Sequence, residues 1–532
     1  MGDSQGNVSA QERLIAALGD SLRRACGARS VSLIETHISW VLLAGEYAYK
    51  IKKAINLGFL DYSTLEARRF YCDEEVRLNR RTAPDIYLDT IPVGGSPDNP
   101  ELGVQPAVEY AVRMRRFDTA NLMDGLLQNG RIFPSHIDGL AAAITRFHKR
   151  LPSVDMNSDF GTAASVKAAA LQNCEQLREL LPDEAGHEHI AELEASTEAE
   201  FSECGKLFDI RRAQGFVREC HGDLHLGNIV LLQDDPVPFD CIEFNPALRY
   251  IDVMDEIAFS VMDLLHREHP ELAWRLLNAC LEASGDYGGL SVLRFYLAYR
   301  AAVRAKVCAI RASQADISGK ARAAELAACR SYLALARQSL RQYRPALIIT
   351  HGLPGSGKTT FSQLVLQQMG AIRIRSDVER KRLYGLGAQE NSRSHGDIYG
   401  PQATRRTYAR LLELAREILL AGFTVIVDAA FLKQDERKAF RTLAQYMSVP
   451  FAIASLYADD NKLRERIRQR RNDASEADVA VLDMLQSRQQ PLSPRELAFT
   501  AEFTTEQSPD SAANARAWIK LQQMLATAQE KT

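Results

Sequence analysis

The chain has 532 residues, a formal net charge of -3, 46% hydrophobic residues and 25% charged residues. At about 150 residues per folding unit, this length predicts three or four units of ordinary globular composition. The near-balanced charge gives no indication of a nucleic-acid or membrane partner, and the nine cysteines include no C-x-x-C pair. The start, MGDSQGNVSAQE, lacks the features of a secretory signal, and no apolar run approaches the ~18 residues of a membrane span. We therefore expect a cytoplasmic protein.

Three strand-like runs near the N-terminus predict a small sheet. The runs are SVSLIE, SWVLLA and YAYKIKKAI, and short turns separate them. Lys50 and Lys52 lie on the same face of the third run, because side chains alternate along a strand. The helical stretch that follows over 64–81 carries several glutamates. We therefore expect a lysine-bearing sheet followed by a helix that offers carboxylates to it.

Further along, the segment HGDLHLGNIVLLQDDPVPFD places polar residues on both sides of a hydrophobic strand. Asp223 and Asn228 are spaced as in the kinase catalytic loop H-R-D-x-x-x-x-N, with glycine in place of arginine after His221. At this spacing Asp223 can orient or deprotonate an attacking hydroxyl, and Asn228 can bind Mg²⁺ without adding negative charge. Asp240, at the end of VPFD, can supply a second metal ligand. A core histidine and a turn aspartate would not explain the whole set.

These motifs resemble the aminoglycoside phosphotransferase family, of which choline kinase and homoserine kinase are relatives, over roughly 30–320. The resemblance implies a bilobal protein-kinase-like fold. Lys50, in the A-x-K pattern of the kinase third strand, is then the phosphate-binding lysine, with Lys52 as the alternative. Residues around Met114, in EYAVRMRRF, are expected to offer backbone groups to adenine.

The same resemblance implies that a glutamate of the helix pairs with the lysine. Glu74 is expected in this role because Leu78 follows it by four residues, as in a kinase C-helix, and Glu75 and Glu66 are competitors. Two features depart from the kinase pattern: the first two strands are joined by THIS rather than a glycine-rich loop, and no D-F-G is present. Phosphate binding is then left to the lysine and nearby backbone.

Basic residues in the predicted C-lobe bear on the acceptor. The run FYLAYRAAVRAKVCAIRAS contains Arg300, Arg304, Lys306 and Arg311. An aminoglycoside is a polycation and requires an acidic pocket. If Arg300 and Arg304 line the acceptor cleft, an anionic acceptor fits better, whereas arginines that face solvent or pair with acids leave the acceptor open.

An alanine-rich helical segment that ends at Pro345 connects to a second module. The run PALIIT predicts a buried parallel strand, and a helical pattern begins at Phe361. Between them the sequence matches G-x-x-x-x-G-K-[ST], a loop whose backbone N–H groups cradle phosphates. Lys358 is expected to contact the β- and γ-phosphates and Thr359 to hold Mg²⁺. The expected nucleotide-binding residues of the loop are Gly352, Leu353, Pro354, Gly355, Ser356, Gly357, Lys358, Thr359 and Thr360.

Polar residues beyond the loop extend this site. Asp377 follows the strand-like AIRIRS, where a carboxylate can accept a proton from an acceptor hydroxyl, although it can also cap a helix. Asp428 ends the strand-like FTVIVD at a Walker-B-like position for the metal. Arg466 and Arg470 lie four residues apart on one helix face. They are either the arginines of a lid that closes over the phosphates or part of a solvated helix. Arg437 is a further candidate near the acceptor.

The second set of motifs resembles the P-loop kinases of small molecules over roughly 344–525. Polynucleotide kinase, zeta-toxin kinases, gluconate kinase and chloramphenicol phosphotransferase share this layout. The resemblance implies a three-layer α/β domain with a parallel sheet, in which Asp377 is the acceptor-binding base. The motifs are specific for ATP and not for one acceptor.

The two halves together resemble the bacterial fusions described as bifunctional aminoglycoside phosphotransferase/ATP-binding proteins. The expected fold class is α+β followed by α/β. The predicted domains are an N-terminal helical lead at 1–29, a phosphotransferase-like domain at 30–342 with lobes at about 30–118 and 119–342, and a P-loop domain at 343–532.

We therefore expect a bifunctional kinase that uses ATP and Mg²⁺, each module transferring the γ-phosphate to a hydroxyl of a small-molecule acceptor. No nucleic-acid partner is expected, although a polynucleotide 5′-hydroxyl stays open as an acceptor. In the alternative, one module is a nucleotide sensor that regulates the other. In a third interpretation, the product of one module is the substrate of the other.

Overall fold

The structure is a computed structural model that describes residues 2–26, 31–56, 60–181, 184–314, 317–388, 390, 398–469, 475–476 and 478–526. The chain divides into two compact units. Unit 1 is Met1–Ala169 with Phe208–Asp263, and unit 2 is Ala170–Leu207 with Leu264–Thr532. The chain thus passes between the units three times, whereas the sequence motifs suggest a single boundary near residue 343. The domain limits given by the motifs stay a prediction.

Unit 1 contains a six-stranded sheet with the order β1-β2-β3-β6-β4-β5, in which every pairing is antiparallel. Its strands are β1 (Val31–Glu35), β2 (Ser39–Ala44), β3 (Tyr47–Lys52), β4 (Tyr87–Ser96), β5 (Asn99–Leu102) and β6 (Ala107–Arg115). The three strands predicted from the sequence are β1 to β3, and a sharp turn at Gly45, whose φ is 58°, joins β2 to β3. Antiparallel neighbours joined by such short turns need no crossover connection.

Helices and two two-stranded antiparallel sheets, β7 with β10 and β8 with β9, complete unit 1. The helices are α1 (Gly2–Cys26), α2 (Leu65–Asn79), α3 (Met123–Gln128), α4 (Pro134–Arg150) and, with the last residues in unit 2, α5 (Ala163–Leu180) and α7 (Val253–His266). The further strands are β7 (Val217–Glu219), β8 (Ile229–Leu232), β9 (Asp235–Pro238) and β10 (Tyr250–Asp252). Helix α2 begins where the Thr64 side chain accepts a hydrogen bond from Ala67 N, and it packs against β4 and β6. The sheet and α2 therefore hold the two predicted lysines close to a helix that carries glutamates.

The N-terminal helix α1 belongs to the core of unit 1. Its buried residues recur at helical spacing and pack with Trp40 and Leu42 of β2: they are Leu14, Ile15, Leu18 and Leu22. An apolar stripe of this kind is what attaches a helix to a sheet. The predicted helical lead is thus an integral layer on the sheet.

Unit 2 contains a five-stranded sheet with the order β12-β13-β11-β14-β15, in which all pairings are parallel. Its strands are β11 (Leu347–His351), β12 (Ile372–Arg375), β13 (Val425–Asp428), β14 (Phe451–Tyr457) and β15 (Thr500–Thr504). Ile348 and Ile426 face a core cluster that includes Phe361 and Leu521, while their neighbours Leu347 and Val425 are equally buried. Because successive side chains alternate in direction, both faces of the sheet are covered, as in a three-layer α/β domain.

The helices of unit 2 come from both halves of the chain. They are α6 (Glu184–Ala213, with its last residues in unit 1), α8 (Pro270–Ser284), α9 (Leu290–Ala312), α10 (Gly319–Ser339), α11 (Lys358–Met369), α12 (Ser376–Leu383), α13 (Pro401–Leu420), α14 (Gln434–Tyr446), α15 (Asp460–Gln469), α16 (Val479–Arg488), α17 (Pro494–Leu497) and α18 (Ala515–Ala526). In the described part of the chain, no helix combines the length and hydropathy that a bilayer crossing requires. The predicted fold class is confirmed: a kinase-like antiparallel sheet with its helix comes first, and a parallel P-loop sheet follows.

The basic residues of α9 contact neighbouring helices. Arg304 lies over the ring of Tyr332 on α10, and the Lys306 ammonium donates hydrogen bonds to Asn173 and Gln176 on α5. Arg300 is buried. These contacts belong to the packing of helices in unit 2. The basic residues of α9 therefore give no reason to prefer an anionic acceptor to a neutral or cationic one.

Replacing Leu18 with alanine tests the attachment of α1 to the sheet. Removing this buried side chain should cost about 3 kcal/mol of local stability, which corresponds to roughly 100-fold faster hydrogen exchange in β2. The exposed Glu12 on the same helix provides the control, Glu12→Ala. Equal exchange in the two variants, measured by mass spectrometry, would show that α1 does not stabilise the sheet.

Candidate functional site

In unit 1, β3 places two lysines against one carboxylate of α2. Lys50 Nζ lies 2.8 Å from Glu75 Oε1, and Lys52 Nζ lies 2.7 Å from Glu75 Oε2. Burial disfavours the Lys50 ammonium, but Asp240 and Glu75 outweigh this and raise the pKa of Lys50 well above its ordinary value. Lys52 is fully buried, whereas 12% of the Lys50 side chain is exposed. Lys50 is therefore the lysine that a phosphate can approach.

Glu75, and not the predicted Glu74, is the partner of the lysines. Glu74 instead accepts two hydrogen bonds from Arg77, at 2.8 and 2.9 Å, and lies 3.6 Å from Arg249. Consecutive helical residues are about 100° apart around the axis, so only one of two adjacent glutamates can face the sheet. The prediction of Glu74 was wrong because the spacing to Leu78 identifies a helix face only approximately.

Lys52 also has a second buried partner, Glu243, which the sequence motifs do not reveal. Its ammonium forms an ion pair with Glu243, which also accepts a hydrogen bond of 2.5 Å from the Tyr62 hydroxyl. Glu243 follows Asp240 by three residues. Lys52 thus fastens the segment that carries Asp240 to the sheet. Lys50 therefore stays the predicted phosphate-binding lysine.

The polar residues of the predicted catalytic loop lie close together. The Asn228 amide donates hydrogen bonds to Asp223 Oδ2 at 2.9 Å and to the Asp223 carbonyl at 3.0 Å. This orients the amide so that its oxygen is the atom suited to a cation. The N–H of Phe239 donates to the Asn228 carbonyl at 3.0 Å, which brings Asp240 beside Asn228, and Lys50 Nζ lies 2.6 Å from Asp240 Oδ1.

Asp240 has a left-handed backbone conformation, with φ of 66°, and its carboxylate remains partly exposed. Hard divalent cations such as Mg²⁺ prefer carboxylate and amide oxygens. The donor set of Asn228 and Asp240, beside the charged Lys50, therefore fits a magnesium-bound phosphate.

A buried glutamate of α7, Glu256, binds the backbone of the predicted catalytic loop. Glu256 accepts hydrogen bonds from the N–H groups of His221 and Gly222 and from His148 Nε2, the last at 2.6 Å. Burial alone would raise the pKa of Glu256, but these bonds lower it to about 2. Cys220, Glu256 and His148 lie near enough to share a metal. Because both Glu256 oxygens are already bonded, the cluster is better explained as support for the loop.

A cavity of about 620 Å³ opens beside the end of β6. It is lined by the turn between β2 and β3 and by the segment after Met114: Leu43, Gly45, Glu46, Arg115, Arg116, Phe117, Asp118 and Thr119. The Phe117 ring meets Phe239, the neighbour of Asp240, edge-on at 5.0 Å. Met114 is buried, and the N–H groups of Arg115 and Arg116 donate to the carbonyls of Ile86 and Glu46. The role of Met114 and its neighbours in adenine binding stays a prediction.

In unit 2, the P-loop connects β11 to α11. Gly355 and Gly357 have φ values of 83° and 84°, and a Cβ at Gly355 would approach the Leu463 carbonyl to 2.9 Å. Only glycine adopts this conformation without strain. The Lys358 ammonium donates a hydrogen bond of 2.8 Å to the Leu353 carbonyl, so the lysine lies over its own loop.

The two predicted carboxylates lie at the ends of two strands on one side of the P-loop strand: β13 is its direct neighbour, and β12 is the next strand beyond β13. Asp428 ends β13, and its Oδ2 accepts a hydrogen bond of 3.2 Å from Ser362, whose hydroxyl also donates to the Thr359 carbonyl. Asp377 is the second residue of α12, directly after β12. The capping residue of α12 is Arg375, without a side-chain hydrogen bond, so the alternative role of Asp377 as a helix cap is not supported. The parallel strand order places P-loop, Asp428 and Asp377 along one edge.

Helix α15 packs over the P-loop. Arg466 donates hydrogen bonds to the Gly355 carbonyl at 3.2 Å and to the Thr505 hydroxyl at 3.1 Å. Leu463 and Ile467, on the same helix, are buried against Leu353. A freely solvated helix would not make these contacts. Arg470 lies outside the described residues.

Arg437 does not lie free. It is buried, pairs with Glu496 at 2.7 Å, and donates to the carbonyls of Gln490 and Pro491. Its guanidinium anchors the segment before β15. That Arg437 lies near the acceptor stays a prediction. Thr505, which contacts Arg466, belongs to no motif and was missed.

Comparison with known proteins gives three findings. A family model described as "AAA domain" (AAA_33) matches residues 347–492. The uncharacterized protein Rv2004c of Mycobacterium tuberculosis is 30% identical over 465 residues, which cover 86% of this chain and 90% of the relative. The uncharacterized protein Mb2027c of Mycobacterium bovis matches to the same extent.

Two solved structures are similar to parts of the chain. A gluconokinase from Sinorhizobium meliloti, 20% identical, covers 36% of this chain and 100% of its own, with a TM-score of 0.28. A choline/ethanolamine kinase family protein from Mesorhizobium loti, 12% identical, covers 62% and 99%, with a TM-score of 0.37. The fold assignment rests on the strand orders and motifs given above.

The match to the mycobacterial proteins extends over most of both chains, and the P-loop match falls within unit 2. The family match over 347–492, together with the antiparallel sheet that precedes it and the parallel sheet that overlaps it, confirms the two-module architecture recognised in the sequence. The chain belongs to the family of these mycobacterial proteins, and in it a kinase-like module is followed by a P-loop module.

Proposed function

We propose that the protein is a bifunctional ATP-dependent phosphotransferase with one nucleotide site in each unit. The observation that carries the proposal is the same in both units. A lysine, oxygen donors suited to Mg²⁺ and an aspartate suited to an acceptor hydroxyl converge on one cleft or one sheet edge. Positioning and charge neutralisation are the main contributions of a protein to phosphoryl transfer.

In unit 1, Lys50 would exchange Asp240 for the phosphates of ATP. Asn228 and Asp240 would hold Mg²⁺, which neutralises charge on the β- and γ-phosphates when it is bound. Asp223 would orient the acceptor hydroxyl and accept its proton. The acceptor oxygen bonds to the γ-phosphorus as the bond from that phosphorus to ADP breaks.

In unit 2, the P-loop backbone and Lys358 would hold the phosphates. Thr359 and Asp428 would hold the cation, and Asp377 would accept the proton of the acceptor hydroxyl. Arg466 contacts the loop already and would add positive charge near the phosphates. The balance of bonds and protons is the same as in unit 1.

The two aspartates can be tested in the full-length chain with Asp223→Asn and Asp377→Asn. Each substitution removes a proton acceptor, so each should lower the phosphorylation of one acceptor by about 100-fold or more and leave nucleotide binding intact. The measurement is transfer from γ-labelled ATP to sugars, nucleosides, aminoglycosides, lipid precursors and 5′-hydroxyl oligonucleotides.

Exposed aspartates in matching settings serve as controls for this experiment. Asp234→Asn changes the turn between β8 and β9, and Asp435→Asn changes the first turn of α14. Should Asp377→Asn abolish the phosphorylation of no acceptor and change only the rate at which the acceptor of unit 1 is phosphorylated, the second module would be a regulatory sensor and not an enzyme.

Adjacent glutamates provide a second test, Glu75→Gln against Glu74→Gln. Without the Glu75 charge, two buried lysines lose their shared partner, which should cost about 3 kcal/mol and weaken nucleotide binding in unit 1 about 10-fold or more. Glu74→Gln loses the pair with the half-exposed Arg77 and a long contact with Arg249, which keeps its pair with Glu219, so it should cost less, about 1 kcal/mol. Binding of a fluorescent ATP analogue would be measured in a Lys358→Ala background, which isolates unit 1. Equal losses in both variants would contradict the role given to Glu75.

A further inference from the structure

Helix α8 covers the edge of the P-loop sheet. Strand β12 lies at one edge of this sheet. The side chain of Asn278, on α8, forms hydrogen bonds with the β12 backbone in place of a neighbouring strand. The Asn278 oxygen accepts from Arg373 N at 2.7 Å, and its amide donates to the Ala371 carbonyl at 3.1 Å. An edge strand otherwise leaves such groups unpaired. A residue from before the P-loop motif is thus part of the sheet that carries Asp377 and Asp428.

One turn further along α8, Glu282 binds two arginines of β12. Glu282 Oε2 lies 3.1 Å from Arg373 Nη2, and Glu282 Oε1 lies 3.1 Å from Arg375 Nη1. Arg373 is also fixed by Gln363, which accepts from its Nη1 at 2.9 Å. Burial alone would raise the pKa of Glu282, but the two guanidinium groups outweigh it and lower the pKa. Glu282 is therefore a charged anchor for both arginines.

Arg375 lies between this anchor and the predicted metal ligand. In the strand register Arg375 is paired with Asp428 of β13, so the two side chains lie side by side. Arg375 Nε is 3.8 Å from Asp428 Oδ2, which is longer than the contact of Arg375 with Glu282. A guanidinium and a carboxylate that are neighbours in a buried site attract each other, often as a bidentate pair, so Glu282 and Asp428 compete for the Arg375 guanidinium.

We propose that Glu282 is a positioning residue for the metal site of the P-loop module. By binding Arg375, Glu282 keeps the guanidinium from closing on Asp428 and leaves that carboxylate able to bind a divalent cation. This inference rests on the proposed function, in which the P-loop binds a nucleotide with Mg²⁺. It extends that function because Glu282 lies on α8, outside every P-loop motif, and yet helps the P-loop module to bind its cation.

The test uses full-length chains in a Lys50→Met background, which removes the phosphate lysine of unit 1. Binding of a fluorescent ADP analogue is measured at increasing Mg²⁺ and separately in EDTA. Glu282→Gln keeps the shape of the side chain and removes its charge, so Arg375 should pair with Asp428. The Mg²⁺ concentration at half-maximal effect is expected to rise about 10-fold, as is usual when support of a metal ligand is lost, while binding in EDTA stays unchanged.

A rescue variant separates positioning from a general structural role. Adding Arg375→Met to Glu282→Gln removes the competing guanidinium and should restore the original Mg²⁺ midpoint. Glu271→Gln is the matched control, because Glu271 lies on the same helix and contacts His269 at 3.0 Å. Arg375→Met alone should give a Mg²⁺ midpoint at or below that of the parent. If Glu282→Gln fails to fold, this single variant still tests the inference.

Three results would overturn the inference. They are an unchanged midpoint in Glu282→Gln, a raised midpoint that Arg375→Met fails to restore, and a raised midpoint in Arg375→Met alone. Lys358→Ala in the same background tests the underlying function independently. If Lys358→Ala leaves nucleotide binding intact, the nucleotide site itself is wrong, and the inference about Glu282 fails with it.

Discussion

A buried charge is tolerated in a protein only beside an opposite charge, and both units are organised by this constraint. In unit 1, Glu75 lies between Lys50 and Lys52, and each lysine has a second carboxylate, Asp240 or Glu243. The strand β3, the helix α2 and the segment that carries Asp240 and Glu243 are therefore held in one arrangement by their charges. A phosphate that enters this cleft meets a lysine whose partners already define its position.

Unit 2 repeats the constraint with arginines. Glu282 binds Arg373 and Arg375, and Arg375 in turn lies close to Asp428. These charges belong to an α-helix, α8, and to the edge of a parallel sheet that α8 covers. Helices α8 to α10, which follow the kinase-like catalytic loop in sequence, thus form one compact unit with the P-loop sheet. The two sequence modules therefore share helices as well as a continuous chain, because helices of the first module belong to the same compact unit as the sheet of the second.

The sequence predicted best where all residues of a site lie within one short segment. The H-G-D-x-x-x-x-N loop and the P-loop are such segments, and the structure brings Asn228 against Asp223 and starts α11 at Lys358. Prediction was weaker where a choice depended on which way a helix faces. Glu74 and Glu75 differ by one position, yet only the rotation of α2 against the sheet decides which of them meets Lys50.

Partners distant in sequence could not be predicted at all. Tyr62 and Glu243 are 181 positions apart, and Arg466 and Thr505 are 39 apart, and no spacing rule connects such pairs. Arg437 carries the same charge as a lid arginine, but its environment makes it a buried anchor for Glu496. An arginine in a sequence can serve either role, because its function depends on which carboxylates and carbonyls the fold brings near it.

By itself, the sequence determined the order of the modules and the two motifs from which the phosphate sites are predicted, because these follow from local spacing and backbone chemistry. Only the tertiary structure decided that Glu75 neutralises both lysines, that Lys52 is fastened to Glu243, and that Glu282 reaches the β12 arginines. The physical reason is that the pairing of charges depends on distance and burial. Both are set by the packing of helices and strands that are far apart in the chain.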